Sequence, residues 1–143
     1  MEQKQKISDN TIVTLINQCG IKASVQRMYI LRYVLEHSTH PSADEVYNAL
    51  VPSIPTLSKT TVYNTLEQLQ EKGIILAISI DGKMNHFDGN TYRHAHFLCE
   101  KCQTIYDIPQ NFDVPIDTLD GGFSVKETQV YYKGICNKCL TKK

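Results

Sequence analysis

The chain has no excess of charge of either sign and no long apolar segment. Its 143 residues hold 15 Lys/Arg and 15 Asp/Glu, so the formal net charge is zero. A nucleic-acid-binding protein usually presents a basic face, so any DNA affinity would depend on a few locally placed cations, on helix N-termini and on dimerisation. No apolar run is long enough to span a bilayer, and Met1–Lys6 is too polar for a secretory signal. We therefore expect a cytoplasmic protein.

Four of the five cysteines form two close pairs, Cys99-x-x-Cys102 and Cys136-x-x-Cys139. A two-residue gap lets two thiolates hold one tetrahedral ion, and four thiolates close the coordination shell. The pairs therefore predict a structural zinc with no open position for a substrate. The alternative is two disulfides, which the strain of a Cys-x-x-Cys disulfide and the expected reducing compartment disfavour. The fifth cysteine, Cys19, is predicted to be buried on a helix.

The first half of the chain has helical periodicity. Ser24, Ser42 and Ser58 are typical N-cap residues, and Ser42 begins a capping box with Glu45. Helices are expected at residues 11–19, from 25 to about 37–40, near 44–50 and at 59–71. The glycines at the ends of the first and last helix are suited to helix termination.

The periodicity changes after the fourth helix. Residues 74–80 and 83–88 are predicted to be strands, with a two-residue turn at Asp81-Gly82. Two helices followed by a hairpin is the order of a winged helix-turn-helix domain, in which 44–50 would be the positioning helix and 59–71 the recognition helix. Helix pairs of this kind are also common in domains that do not bind DNA, so the pattern alone leaves this function open.

The second half is rich in strand-forming residues. Strands are expected at 96–98, 104–108 and 123–132, with a short helix within 111–121. The predicted fold class is α+β. An N-terminal winged helix-turn-helix domain (1–88) is followed by a linker (89–93) and a small α/β domain (94–143) that the four-cysteine zinc site staples together.

A second group of metal-binding residue types surrounds the first cysteine pair. His94 and His96 lie two apart on an extended segment and so point the same way. With His40, Asp88 and Asp107 they would form a nitrogen and oxygen site that bridges the domains and suits Fe(II), Mn(II) or Zn(II). Simpler explanations exist: His40 as a helix-end residue, Asp88 as a turn former and Asp107 as an exposed charge. His37 and His86 receive no role; His86 is expected to face away from the core.

At this point the chain closely resembles the ferric uptake regulator (Fur) family of bacterial metal-dependent repressors. The resemblance rests on Gln26-Arg27, on the stretches 40–47 (HPSADEVY), 58–66 (SKTTVYNTL) and 94–102 (HAHFLCEKC), and on Cys136-x-x-Cys139. The chain is most similar to the peroxide-sensing branch of this family, because its regulatory set has three His and two Asp and because Asn64 follows Tyr63.

The resemblance implies a homodimeric repressor rather than an enzyme. It implies structural Zn(II) on the four cysteines and regulatory Fe(II) or Mn(II) on His40, Asp88, His94, His96 and Asp107. With iron bound, peroxide would oxidise His40 and His94 and so release the DNA.

The implied partner is double-stranded DNA, an A·T-rich inverted repeat, with no membrane and no small-molecule substrate. Tyr63 would pack on thymine methyl groups and Lys22 would enter the minor groove. The residues expected at the DNA are Lys22, Arg27, Ser58, Lys59, Thr60, Thr61, Tyr63 and Asn64.

Three departures from the family pattern accompany the match. Val25 replaces the usual proline before Gln26-Arg27, residues 127–130 lack a further metal-binding histidine, and 111–121 is short for a dimerisation helix. The alternatives are an iron- or zinc-uptake repressor with reversible metal sensing, a metallo-hydrolase using His94, His96 and an aspartate, or an interaction module with zinc alone.

Overall fold

A computed structural model describes residues 6–91, 94–109, 121–125 and 127–141 of the chain. The chain divides into two compact units, Met1–Thr91 and Tyr92–Lys143. None of the helices in the described ranges is long and apolar enough to cross a bilayer.

The first unit contains four helices: α1 (Asp9–Gln18), α2 (Val25–Glu36), α3 (Ala43–Leu50) and α4 (Lys59–Glu71). Each follows a serine, Ser8, Ser24, Ser42 or Ser58, whose hydroxyl accepts the backbone N–H of the residue three positions later. Such a cap contributes about 1 kcal/mol. The predicted caps at Ser24, Ser42 and Ser58 are confirmed, and α4 has the predicted bounds.

The core of the first unit lies between the apolar faces of these helices. Its fully buried members include Ile12, Ile16, Leu31, Val46, Val62, Leu66 and Leu69. Cys19 is 6% exposed and belongs to the same cluster, so its predicted burial is confirmed. This core sets the angle at which α4 follows α3, and thereby the direction in which the polar face of α4 points.

A two-stranded antiparallel hairpin completes the first unit. Strand β1 (Leu76–Ile78) pairs with β2 (His86–Asp88), with Ile78 opposite His86. The predicted two-residue turn at Asp81-Gly82 is wrong, because residues 79–85, here called the wing loop, connect the strands. The carboxylate of Asp81 accepts the N–H groups of Lys83 and Met84 at 2.9 and 3.2 Å, which stabilises this longer connection.

The second unit is a three-stranded mixed sheet. Strand β3 (Ala95–Cys99) lies between the antiparallel β4 (Ile105–Ile108) and the parallel β5 (Tyr131–Gly134). A short helix, α5 (Asn137–Thr141), follows. The long strand expected at 123–132 is wrong, since the pairing with β3 begins at Tyr131. The helix expected within 111–121 falls almost wholly in residues 110–120, outside the described residues.

Candidate metal centres and DNA-contact surface

The two cysteine pairs meet at the C-terminal ends of strands β3 and β5 in the second unit. Cys99 ends β3 and Cys136 follows β5, and the two strands are parallel. The four Sγ atoms all lie within 4.8 Å of one another, and those of Cys102 and Cys136 are 3.9 Å apart. Sulfurs bound to one tetrahedral zinc at about 2.3 Å are about 3.8 Å apart, so the donors fit a single zinc ion.

The cysteines are free thiols in the structure, and all five lie among the described residues. The alternative of two disulfides is therefore wrong for this fold. A set of four converging sulfur donors has a chemistry that selects zinc or another thiophilic ion.

Hydrogen bonds prepare part of this cluster for metal binding. The sulfur of Cys99 accepts the backbone N–H groups of Cys102 and Cys136, each at 3.4 Å. These bonds lower the pKa of Cys99 to about 6. A hydrogen bond from Tyr106 likewise lowers the pKa of Cys136 and raises that of Tyr106 to about 12. Because the thiolate is the metal-binding form, two of the four ligands are favoured in that form by the fold.

Cys139 differs from its three partners in the cluster. Its hydrogen bond with Cys136 raises the pKa of Cys139 to about 12. The protein without metal therefore holds this proton at neutral pH, and binding of an ion has to displace it.

Three of the predicted regulatory ligands lie together in the second unit. Nε2 of His94 and Nε2 of His96 lie 3.1 and 3.3 Å from Oδ1 of Asp107. The register of β3 and β4 explains the arrangement, because His96 is directly opposite Asp107. Both imidazole side chains are 5% exposed. Donor atoms bound to one ion at about 2.1 Å are about 3.0–3.4 Å apart, so the spacing suits a metal.

The other two predicted ligands lie together in the first unit. Nε2 of His40 is 3.4 Å from Oδ2 of Asp88, and the two side chains are 2% and 3% exposed. The prediction that His40 ends the second helix is wrong, since α2 ends at Glu36 and His40 has a φ of 55°. Pro41 contributes to this, because the residue before a proline is disfavoured in the helical conformation. His40 is therefore held away from solvent beside a carboxylate.

His86 is a contact residue that the sequence did not reveal. It was expected to face away from the core, yet its Nδ1 lies 2.8 Å from the carbonyl oxygen of His40 and its Nε2 lies 2.8 Å from Oδ2 of Asp81. Only 12% of the side chain is exposed. The alternation of His86 with Phe87 gives no sign of this, because the partner at His40 is 46 residues away.

The predicted DNA-contact residues lie mainly at the start of α4. Ser58 is its N-cap and bonds the backbone and hydroxyl of Thr61. Half of the surface of Tyr63 is exposed. Arg27 and Thr61 are half-buried. The exposed members are Lys22, Lys59, Thr60 and Asn64.

Asp44 of α3 holds two of these side chains. The hydroxyl of Tyr63 donates to Oδ1 of Asp44 at 3.0 Å, and Nζ of Lys59 lies 3.9 Å from the same oxygen. Lys59 also lies over the ring of Tyr47, 5.6 Å from its centroid. Elsewhere on the unit, the guanidinium of Arg27 donates to the carbonyl oxygen of Lys22 at 2.8 Å.

The chain is similar in sequence to known proteins over most of its length. The model of the ferric uptake regulator family matches residues 18–139. The peroxide-responsive repressor PerR of Staphylococcus aureus (strain Mu50) is 35% identical over 133 residues, which is 91% of this chain and 90% of that protein.

Solved structures give the same result for the fold. PerR from Streptococcus pyogenes, solved in work on peroxide sensing and gene regulation, has a TM-score of 0.53 at 26% identity, covering 97% of this chain and 98% of that one. The Helicobacter pylori ferric uptake regulator has a TM-score of 0.69 at 17% identity, covering 99% of both chains. The chain therefore belongs to the ferric uptake regulator family of metal-dependent, DNA-binding regulators.

Proposed function

We propose that the protein is a peroxide-responsive repressor similar to PerR. The observation that supports this most directly is the donor set of three histidines and two aspartates, all of them buried or partly buried. Its two parts already have metal-like spacings, His40 with Asp88 in the first unit and the remaining ligands in the second. The S. aureus PerR relative supports the same function.

The two parts are proposed to bind one ion together. His40 and Asp88 would supply one part of the shell, and His94, His96 and Asp107 the other. Nitrogen and carboxylate donors suit Fe(II) and Mn(II). Because each unit contributes ligands, metal binding would restrain the first unit relative to the second. The four cysteines are assigned to structural Zn(II), which would stabilise the second unit independently of this switch.

The energy required for such a switch is large. Moving an equilibrium from 1:99 to 99:1 needs about 5.5 kcal/mol of differential affinity. An exposed ion pair contributes about 1 kcal/mol or less, whereas five ligands that meet only in one arrangement could supply the full amount. By linkage, DNA would tighten metal binding by the factor by which metal tightens DNA binding.

Peroxide sensing is proposed to act through the ligand histidines. When bound, iron(II) would supply the electron that reduces hydrogen peroxide beside the imidazole rings. His40 and His94 are the proposed oxidation targets. Addition of one oxygen atom to either ring would lower its basicity and alter its shape, so the units would lose their mutual restraint. The modification consumes the protein, which is why the function is regulatory rather than enzymatic.

DNA binding is assigned to the first unit and dimerisation to the second. Helix α4 would enter the major groove with Tyr63 against thymine methyl groups, and Lys22 would reach the minor groove of an A·T-rich inverted repeat. Lys22, Arg27 and Lys59 give six cations in a dimer. With a slope of about −0.9 per neutralised phosphate, log K should fall with log[salt] with a slope of about −5.

Anaerobic titration with Fe(II) or Mn(II), monitored by binding to an A·T-rich inverted-repeat duplex, tests the proposal. Both metals should promote binding. A peroxide pulse should release the DNA from the iron-loaded protein only, and mass spectrometry should find one added oxygen on His40 or His94. Release that reverses on adding fresh metal, without any oxygen adduct, would instead indicate an iron-uptake repressor. One zinc per chain and no response to either metal would contradict both.

A further inference from the structure

We propose that His86 is a positioning residue that fixes the backbone of His40 and connects it to the wing loop. This inference rests on the proposed function, because it concerns the role of His40 as a metal ligand. It starts from the two 2.8 Å contacts of the His86 ring, one to the His40 carbonyl oxygen and one to the Asp81 carboxylate.

The ring of His86 is committed to these two contacts. A carbonyl oxygen only accepts, so Nδ1 carries a proton and donates it to the oxygen of His40. Nε2 faces the carboxylate of Asp81, which likewise only accepts, so this second contact is a hydrogen bond when Nε2 carries a proton as well. The surrounding pocket leaves 12% of the His86 side chain exposed. With both nitrogens occupied, His86 is not a further metal ligand. Its effect on a metal has to pass through the residue whose backbone it holds.

The backbone of His40 requires such support. Its φ of 55° lies in the left-handed region, which is strained for a residue other than glycine and persists only where the surroundings stabilise it. Strand β2 provides that stabilisation. Besides the His86 ring, the N–H of Phe87 donates to the Pro41 carbonyl oxygen at 2.9 Å, and Ser42 forms a β-bridge with His86.

The strand that braces His40 also carries its partner ligand. Asp88 is the last residue of β2, and its Oδ2 lies 3.4 Å from Nε2 of His40. Because the direction of a side chain follows from its backbone torsions, the contact at the His40 carbonyl sets where its imidazole lies relative to Asp88. Residues that orient a ligand in this way typically change metal affinity by 10- to 100-fold when replaced.

The other side of the His86 ring leads to the wing loop. Asp81 accepts the N–H groups of Lys83 and Met84 through Oδ1 and contacts His86 through Oδ2. A continuous series of hydrogen bonds thus runs from the wing loop through Asp81 and His86 to the carbonyl of His40. A shift of the wing loop on DNA binding would therefore be transmitted to His40, and a shift of His40 on metal binding would be transmitted to the wing loop.

Two isosteric variants of full-length protein separate the two contacts. The amide nitrogen of His86→Asn takes the place of Nδ1 and keeps the bond to His40, whereas that of His86→Gln takes the place of Nε2 and keeps the bond to Asp81. Mn(II) affinity, measured anaerobically by electron paramagnetic resonance of the free ion, should fall about tenfold in His86→Gln and less than about threefold in His86→Asn.

The variants also distinguish the positioning of His40 from an effect on folding stability and from the coupling between DNA binding and Mn(II) binding. Each loses one partly buried hydrogen bond, so their thermal unfolding without Mn(II) should be similar and cannot explain a difference in affinity. The factor by which an A·T-rich inverted-repeat duplex tightens Mn(II) binding should be smaller than in wild type in both variants, because His86→Asn loses the bond to Asp81 of the wing loop and His86→Gln loses the bond to His40.

Equal Mn(II) affinities in the two variants, or an undiminished DNA effect in His86→Asn, would overturn this inference while wild type still bound metal and DNA. Wild-type protein that took up one zinc and no Mn(II) would overturn the proposed function, and the inference with it.

Discussion

Asp44 lies beside the residues that we propose contact DNA, and replacing it separates two opposing effects of its carboxylate. Oδ1 of Asp44 lies 3.9 Å from Nζ of Lys59 and accepts a hydrogen bond from the hydroxyl of Tyr63 at 3.0 Å. The carboxylate therefore pairs with the Lys59 cation, which could otherwise contact phosphate. It also orders the half-exposed ring of Tyr63. Asp44→Asn removes the charge and keeps an oxygen acceptor, whereas Asp44→Ala removes both.

The expected magnitudes follow from the geometry. Unit charges 3.9 Å apart interact by about 1 kcal/mol in water, and exposed pairs contribute about 0.2–1 kcal/mol. Releasing Lys59 in Asp44→Asn should thus tighten DNA binding by about two- to fivefold at low salt and steepen the salt dependence. Ordering a free side chain costs about 0.5–1.5 kcal/mol, so Asp44→Ala should bind about two- to tenfold more weakly than Asp44→Asn.

A double-mutant cycle provides the control. In a Tyr63→Phe background the hydroxyl is absent, so the difference between the two Asp44 variants should disappear. The assay is fluorescence anisotropy with an A·T-rich inverted-repeat duplex and Mn(II) at several salt concentrations. Equal affinities of Asp44→Asn and Asp44→Ala, or a difference that persists with Tyr63→Phe, would refute the role of Asp44 in ordering Tyr63.

Three further predictions concern stability and metal content. Cys136→Ser should lose the tightly held zinc and the circular dichroism of the second unit, while Cys19→Ser, outside the cluster, should retain one zinc per chain by atomic absorption. Burial raises the pKa of Asp81, but hydrogen bonds from His86 and from the N–H groups of Lys83 and Met84 outweigh this effect and lower the pKa to about 2. The contribution of Asp81 to the free energy of unfolding should therefore be present above about pH 4 and fall by up to about 2 kcal/mol as the pH drops from 4 to 2. Urea titration should find this loss in wild type and not in Asp81→Asn. Ser58→Ala should cost about 1 kcal/mol by removing the α4 cap, whereas Ser53→Ala, outside any cap, should be near neutral in the same titration.

Local signals in the sequence determined the helices well. Ser58 marks where α4 begins, and Gly73, with a φ of +74°, allows the chain to turn after it. The spacing of Val62, Leu66 and Leu69 specifies which face of α4 is buried, and all three are fully buried. The cysteine pairs were equally informative, because their spacing reports a metal geometry that does not depend on the rest of the fold.

Features set by distant partners were not accessible from the sequence. Strand β5 begins where it pairs with β3, and this register is decided by residues more than 30 positions away. The wing loop depends on which N–H groups the Asp81 side chain accepts. The contact of His86 with the carbonyl of His40 depends on how strand β2 approaches the segment after α2, which no periodicity describes.

Helix α5 has only five residues, and none of them is buried. So short a helix has too few hydrogen bonds to persist by itself, and its residue Cys139 is its link to the sulfur cluster. Loss of the ion would leave residues 137–141 without a stable attachment and open to proteolysis. In a cell short of zinc, the lifetime of this protein would then fall, so its abundance would report the zinc supply.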